Sequence, residues 1–167
     1  MPNDVKSMHF AEPDVGKSPL PHPCQLVIFG ATGDLSWRKL LPAVYNLNID
    51  GVLPSHFAMV GFGLPAEGAV VGDPDEYIRQ RAKDGISRFS RQPLDESHWA
   101  DFARALFLVP GSFNDTRAYA QLKAKMEAVD QQFGIPGSRV YYLAVPPALV
   151  HTCVEHLKSA GLINDPH

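Results

Sequence analysis

The residues best placed to do chemistry in this sequence are two glycines and a threonine. Residues 25–29, QLVIF, run apolar into Gly30; Thr32 and Gly33 follow, and Asp34 opens a segment of helical spacing. A turn between a buried strand and a helix suits a phosphate. The first N–H groups of a helix have no carbonyl one turn earlier to bond, and the aligned peptide dipoles add an attraction of roughly 0.3–1 kcal/mol. Glycine lets an anion approach where a Cβ would hold it away, and the Thr32 hydroxyl can donate to it. The general dinucleotide pattern has a further glycine three positions on, for close packing of helix on strand; here that place is Ser36. The glycines alone therefore fit two readings, a phosphate cradle and a tight corner that binds nothing.

Other reactive residue types form no comparable constellation. Of seven histidines, His151 and His156 lie five apart and so face different sides of a helix, a poor metal pair. No metal site is expected. Cys24 and Cys153 belong to no CxxC pair, which makes a reduced, cytoplasmic setting the default. Asp34, at a helix start, reads as a backbone cap rather than a catalytic acid. Tyr141 and Tyr142 read as core residues of an apolar strand rather than as a stacking platform. Pro146 and Pro147 close that strand at the end where parallel sheets bind ligands, and an X–Pro bond there can be cis.

The elements that must position the glycine turn alternate in kind. Strands are expected at residues 25–29, 57–62, 107–110 and 139–145. Helices are expected over 35–48, 74–89, 94–105, 115–133 and 147–160, with Pro42 kinking the first. Strand–helix alternation argues for an α/β fold, a Rossmann-like doubly wound parallel sheet in three αβα layers. Four strands are visible where the complete fold commonly has six, so the sheet reads as incomplete and the chain as stopping early. Residues 1–23 hold five prolines and read as a flexible tail; residues 24–167 read as one domain.

Composition narrows the partners. A net charge of -3 and the lack of any basic block exclude a nucleic-acid surface as the expectation, and no apolar stretch is long enough to suggest a membrane span. The N-terminus has no basic start followed by an apolar run and does not read as a secretory signal.

The longer string VIFGATGDLSWRKLLPAVYNL resembles the coenzyme-binding signature of glucose-6-phosphate dehydrogenases, roughly GAxGDLxxRKLxPALYxL. GVLPSHFAMVGFG is similar to that family's second strand and its approach, and RVYYLAVPPALV to its fourth strand and double-proline turn. VHTCVEHLKSAGL stands where the family has the following helix. The first string is highly specific, and the matches run from about residue 24 to residue 162.

The resemblance implies an N-terminal coenzyme domain of an NADP-dependent oxidoreductase of glucose metabolism. Gly30, Ala31, Thr32, Gly33, Asp34 and Leu35 match its pyrophosphate turn; Ala144, Val145 and Pro146 match the segment under the nicotinamide. The family's EKPFG and RIDHYLGK strings, the second carrying the catalytic histidine, do not occur here. No catalytic residue is therefore expected in this chain, which alone should be inactive, with glucose 6-phosphate bound only alongside the missing domain. Where the family often has VGxAR, its arginine holding the ribose 2′-phosphate, this sequence reads VGFGL. Leu64 takes that place, so NAD stays open beside NADP; Arg38 and Lys39 are alternative cations. A non-catalytic dinucleotide-binding or interaction module is the other functional class. An incomplete sheet would also leave RVYYLAV as an exposed edge, open to self-association.

Overall fold

The computed structural model describes residues 21–67, 69 and 72–164. Most of the expected proline-rich tail, residues 1–20, lies outside the described residues.

Four parallel strands, β1 (Cys24–Phe29), β2 (Phe57–Phe62), β3 (Leu106–Val109) and β4 (Arg139–Leu143), form one sheet in the order β3-β2-β1-β4. The register aligns Phe29 with Phe62 on one side and with Leu143 on the other, and Phe62 with Val109. The C-terminal ends of all four strands therefore stand level, on the edge where the connecting turns gather.

Helices cover both faces. The helix after β1 begins with a π-helical turn, Ser36–Leu40, and continues as α1, Leu41–Ile49. Pro42 is the cause expected from sequence: it has no N–H to give to residue 38, and its ring would crowd that carbonyl. The chain widens instead, and the Leu41 N–H reaches five residues back to Ser36. The helix is not broken; it is wider for one turn.

With α2 (Pro74–Phe89) and α3 (Glu96–Arg104), α1 buries Ile28, Met59, Leu106 and Leu108 on one face of the sheet. On the other face α4 (Thr116–Phe133) and α5 (Pro147–Ser159) bury Val27, Phe29, Val60 and Phe62. Each such side chain contributes about 1.5–3 kcal/mol when taken fully from water. Strands β1 to β3 read as continuous apolar runs because both faces are covered. The three layers are those of a Rossmann-like α/β fold.

In β4 the alternation is visible, and it corrects one expectation. Tyr141 lies on the α4–α5 side, half-buried against Phe29, with its hydroxyl donating to the Leu162 carbonyl. Tyr142 points to the other face and is 44% exposed, as is Val140 at 54%. Tyr142 is not core, because among the described residues no helix covers that face beside β1. All described peptide bonds are trans, those at Pro146 and Pro147 included, and Pro147 opens α5.

Candidate functional site

The turn after β1 is held from three sides. The Gly30 N–H donates to the Phe62 carbonyl (2.8 Å), the Gly33 N–H to the Gly30 carbonyl (3.0 Å), and the Ala144 N–H to the Phe29 carbonyl (2.9 Å). Gly30 has φ +82°, a conformation that only glycine adopts without strain, and an added Cβ would stand 2.2 Å from the Ala144 oxygen. Ser36 replaces the third glycine of the general pattern with a function of its own. It is fully buried, and its hydroxyl donates to the Gly30 carbonyl at 2.9 Å, tying the helix to the turn. Close packing of helix on strand is supplied elsewhere: Ala31 is buried, and a Cβ on Gly61 of β2 would approach the Ala31 methyl to 2.6 Å.

The turn opens onto a cavity of about 310 Å³ at the C-terminal ends of the strands. Gly30, Thr32 and Gly33 form one wall, Ala144, Val145 and Pro146 another. Gly63 and Leu64 after β2, and Gly111, Ser112 and Phe113 after β3, complete it. Of the expected site residues, six therefore line one cavity. Ala31 lies behind it in the core, and Asp34 and Leu35 stand on the exposed helix start beside it.

Asp34 is not a cap. Its carboxylate accepts from Arg38 one turn on (2.7 Å), and the residues opening the helix receive no side-chain cap. A capping carboxylate would have occupied the N–H groups that an anion needs. Thr32 is also engaged differently from expectation, its hydroxyl donating to the Leu64 carbonyl at 2.6 Å. That bond pins the loop after β2 against the turn.

The contributions of Gly63 and Gly111 were not read from sequence, although each follows a strand in a parallel sheet, which is the available signal. Gly63 has φ +154°, and a Cβ there would stand 3.3 Å from the Thr32 hydroxyl and 3.7 Å from the Gly30 Cα. Both crossing points are bare of side chains. Among the described residues no carboxylate lines the cavity. The arrangement fits an elongated anionic ligand laid across strand ends: backbone beneath it, unpaired helix N–H groups at one end, apolar Val145 and Pro146 at the other.

The remaining titratable groups lie elsewhere. Burial pushes the Cys153 thiol upward, as it does the Tyr119 phenol beside it, and both act as core groups on the α4–α5 face. His156 packs on the Tyr119 ring at 5.0 Å. Among the described residues no three His, Cys, Asp or Glu side chains come together to hold a metal. No described helix is long and apolar enough to cross a membrane.

A glycine turn at the C-terminal edge of a β3-β2-β1-β4 parallel sheet defines a Rossmann-like nucleotide-binding class of domain. Residues 27–167 match the family model described as "Glucose-6-phosphate dehydrogenase, NAD binding domain". The chain therefore belongs to the glucose-6-phosphate dehydrogenase family and represents its nicotinamide-dinucleotide-binding domain. It is 40% identical over 140 residues to glucose-6-phosphate 1-dehydrogenase of Chlamydia pneumoniae, covering 84% of this chain and 26% of that protein. Over the same shares it is 36% identical to glucose-6-phosphate 1-dehydrogenase 2 of Mycobacterium bovis. The crystal structure of the Mycobacterium avium glucose-6-phosphate 1-dehydrogenase superimposes with a TM-score of 0.69 at 27% identity, over 86% of this chain and 28% of that one. The chain thus spans about a quarter of the length of the relatives it matches.

Proposed function

We propose that residues 24–167 form a coenzyme domain that holds NADP for a glucose-6-phosphate dehydrogenase. The observation that carries the reading is the meeting of Gly30, Thr32 and Gly33 with Gly63 and with Ala144–Pro146 around one cavity. In this reading the unpaired N–H groups at the helix start, at Asp34 and Leu35, hold the pyrophosphate, and Gly30 and Gly63 permit its approach. The loop pinned by Thr32 lies beside the adenosine ribose, and Ala144, Val145 and Pro146 support the nicotinamide.

The dinucleotide supplies the hydride acceptor. The reaction would take the hydride from C1 of glucose 6-phosphate, with the hydroxyl proton leaving to a base, to give the lactone at the entry to the pentose phosphate pathway in the cytoplasm. Among the described residues the cavity lining has hydroxyls at Thr32 and Ser112 and no group suited to be that base. The base and the sugar-phosphate site belong to further sequence of the kind its longer relatives have, and this chain alone is inactive.

Calorimetric titration with NADP and with NAD tests the reading, with the double variant Thr32→Asp, Gly33→Asp as control. Two carboxylates at the turn repel the pyrophosphate, so binding by the unaltered chain that the variant loses supports it. Absence of binding to either coenzyme at millimolar concentration, or equal binding by the variant, overturns it.

A further inference from the structure

In Rossmann-like domains the residue at the end of the second strand distinguishes the two coenzymes. An acid there bonds a free ribose 2′-hydroxyl, and an arginine nearby accommodates a 2′-phosphate. Here that position offers neither: Gly63 has no side chain, and Leu64 is apolar and 60% exposed. A cation for the 2′-phosphate must come from another element.

Three arginines surround Trp37, the second residue of the π-helical turn. Arg38, Arg81 and Arg88 place their guanidinium carbons 5.2, 5.5 and 5.7 Å from the indole ring centroid. Two of them are neutralised by an aspartate one turn earlier on the same helix. Arg38 pairs with Asp34 at 2.7 Å and Arg88 with Asp84 at 2.8 Å. Arg81 breaks this pattern. Tyr77 and Gly85 stand four residues before and after it, and the one carboxylate at helical spacing, Asp84 at i+3, accepts from the Trp37 indole N–H at 2.9 Å and from Arg88 at 2.8 Å instead. Arg81 has no ion-pair partner among the described residues, and its Nε is buried without a hydrogen bond.

Arg81 is also the guanidinium turned toward the glycine turn. Its Nη2 lies 3.5 Å from the Gly33 carbonyl, at the entrance to the first helix. Gly85 makes this possible. A Cβ there would stand 2.3 Å from the Trp37 carbonyl, so its absence lets α2 close on the helix start, with Arg81 one turn nearer the turn. The preceding residue on the same stripe, Tyr77, accepts from the Ala66 N–H at 3.2 Å and holds the loop after β2 against α2. Tyr77 and Arg81 thus flank the junction of that loop with the glycine turn, the neighbourhood of the adenosine ribose. Long-range attraction needs an unneutralised charge, and Arg81 supplies one where Arg38 does not.

We infer that Arg81 recognises the ribose 2′-phosphate of NADP, taking from α2 the part that the residue after β2 cannot play. The inference rests on the dinucleotide-binding reading above and extends it to coenzyme choice.

The test is titration of the 167-residue chain and its Arg81→Gln and Arg81→Lys variants with NADP and with NAD. Removing a charge-assisted contact should weaken NADP roughly tenfold to a hundredfold. NAD affinity should stay unchanged, which also shows that the variant is folded. Arg81→Lys, keeping the charge without the fork, should retain part of the NADP affinity, and the salt dependence of NADP binding should flatten in Arg81→Gln alone. An NADP affinity unmoved by Arg81→Gln overturns the inference while leaving dinucleotide binding intact. Equal losses for both coenzymes overturn it too, by making Arg81 a packing residue against Trp37. Failure of the unaltered chain to bind either coenzyme overturns both readings together.

Discussion

Gly30 and Ala144 meet backbone to backbone, with only 2.2 Å between the place of a missing Gly30 Cβ and the Ala144 carbonyl oxygen. This contact joins the phosphate turn of β1 to the segment that follows β4, so one glycine sets the width of the cavity floor. Gly30→Ala meets two costs at once, a side chain at φ +82° and a clash with backbone that cannot rotate away. Together these amount to about 2–5 kcal/mol. Urea denaturation should show a loss in that range, with dinucleotide affinity falling further than stability alone accounts for. A variant as stable as the unaltered chain would mean that β4 and the turn are less firmly joined than the geometry requires.

Gly85 gives a prediction of opposite sign to the ordinary rule. Alanine in place of glycine within a helix normally stabilises by about 0.8–1 kcal/mol. Here the new methyl would meet the Trp37 carbonyl at 2.3 Å and its indole at 2.9 Å. α2 would have to withdraw from the helix start, and overpacking of this kind costs about 1–3 kcal/mol. Gly85→Ala should therefore lower the urea midpoint, and Arg81 should lose its place at the turn, weakening NADP more than NAD. A raised midpoint would show that the two helices have room to separate.

The fold was legible in the sequence because its strands are short apolar runs, β1 and β2 closed by glycine, and its helices after β2 are opened by proline or aspartate. Asp73, Asp95 and Asp115 cap α2, α3 and α4 as such residues should. Asp34 has the same residue type and the same kind of position, yet pairs with Arg38, because a partner at i+4 competes with the backbone. The turn itself was legible from residue types. The walls supplied by Gly63 and Gly111 were not, since strand order, not sequence distance, brings them to Gly30. Tyr142 was misplaced for a related reason: a strand that reads as apolar on both faces is core only where both faces are covered. Arg81 was invisible from spacing because Asp84, at i+3, looks like its partner, and only the structure shows that aspartate taken by Trp37 and Arg88.

The edge of the sheet carries a third prediction. β4 has β1 on one side and no described strand on the other, and Val140 and Tyr142 are exposed beside that edge. Unpaired backbone next to apolar side chains is a template for pairing with another chain. The chain should self-associate as its concentration rises, and Val140→Lys with Tyr142→Lys should restore the 18.3 kDa monomer. Sedimentation equilibrium reads this directly. A monomer at all concentrations would show that the edge is protected by residues outside those described, and association unchanged by the two lysines would place the contact elsewhere.

Asp95 carries the clearest pH dependence. The Ser97 hydroxyl at 2.6 Å, then the His98 and Ser97 N–H groups at 3.3 and 2.8 Å, favour its carboxylate and hold it at about 2, below the ordinary 3.8. His98 also stands 3.4 Å from it. Because the folded value is the lower one, the charged cap contributes fully above pH 3.8, fades as pH falls through the interval, and is gone below about 2. Asp95→Asn keeps a capping oxygen without the charge. The stability difference between the two chains should therefore be constant near neutrality and shrink as pH is lowered from 3.8 toward 2. Ser97→Ala, which removes the largest cause, should bring the Asp95 titration back toward its ordinary range in carboxyl NMR. A difference that persists unchanged to pH 2 would mean that the cap's oxygen matters at this position and its charge does not.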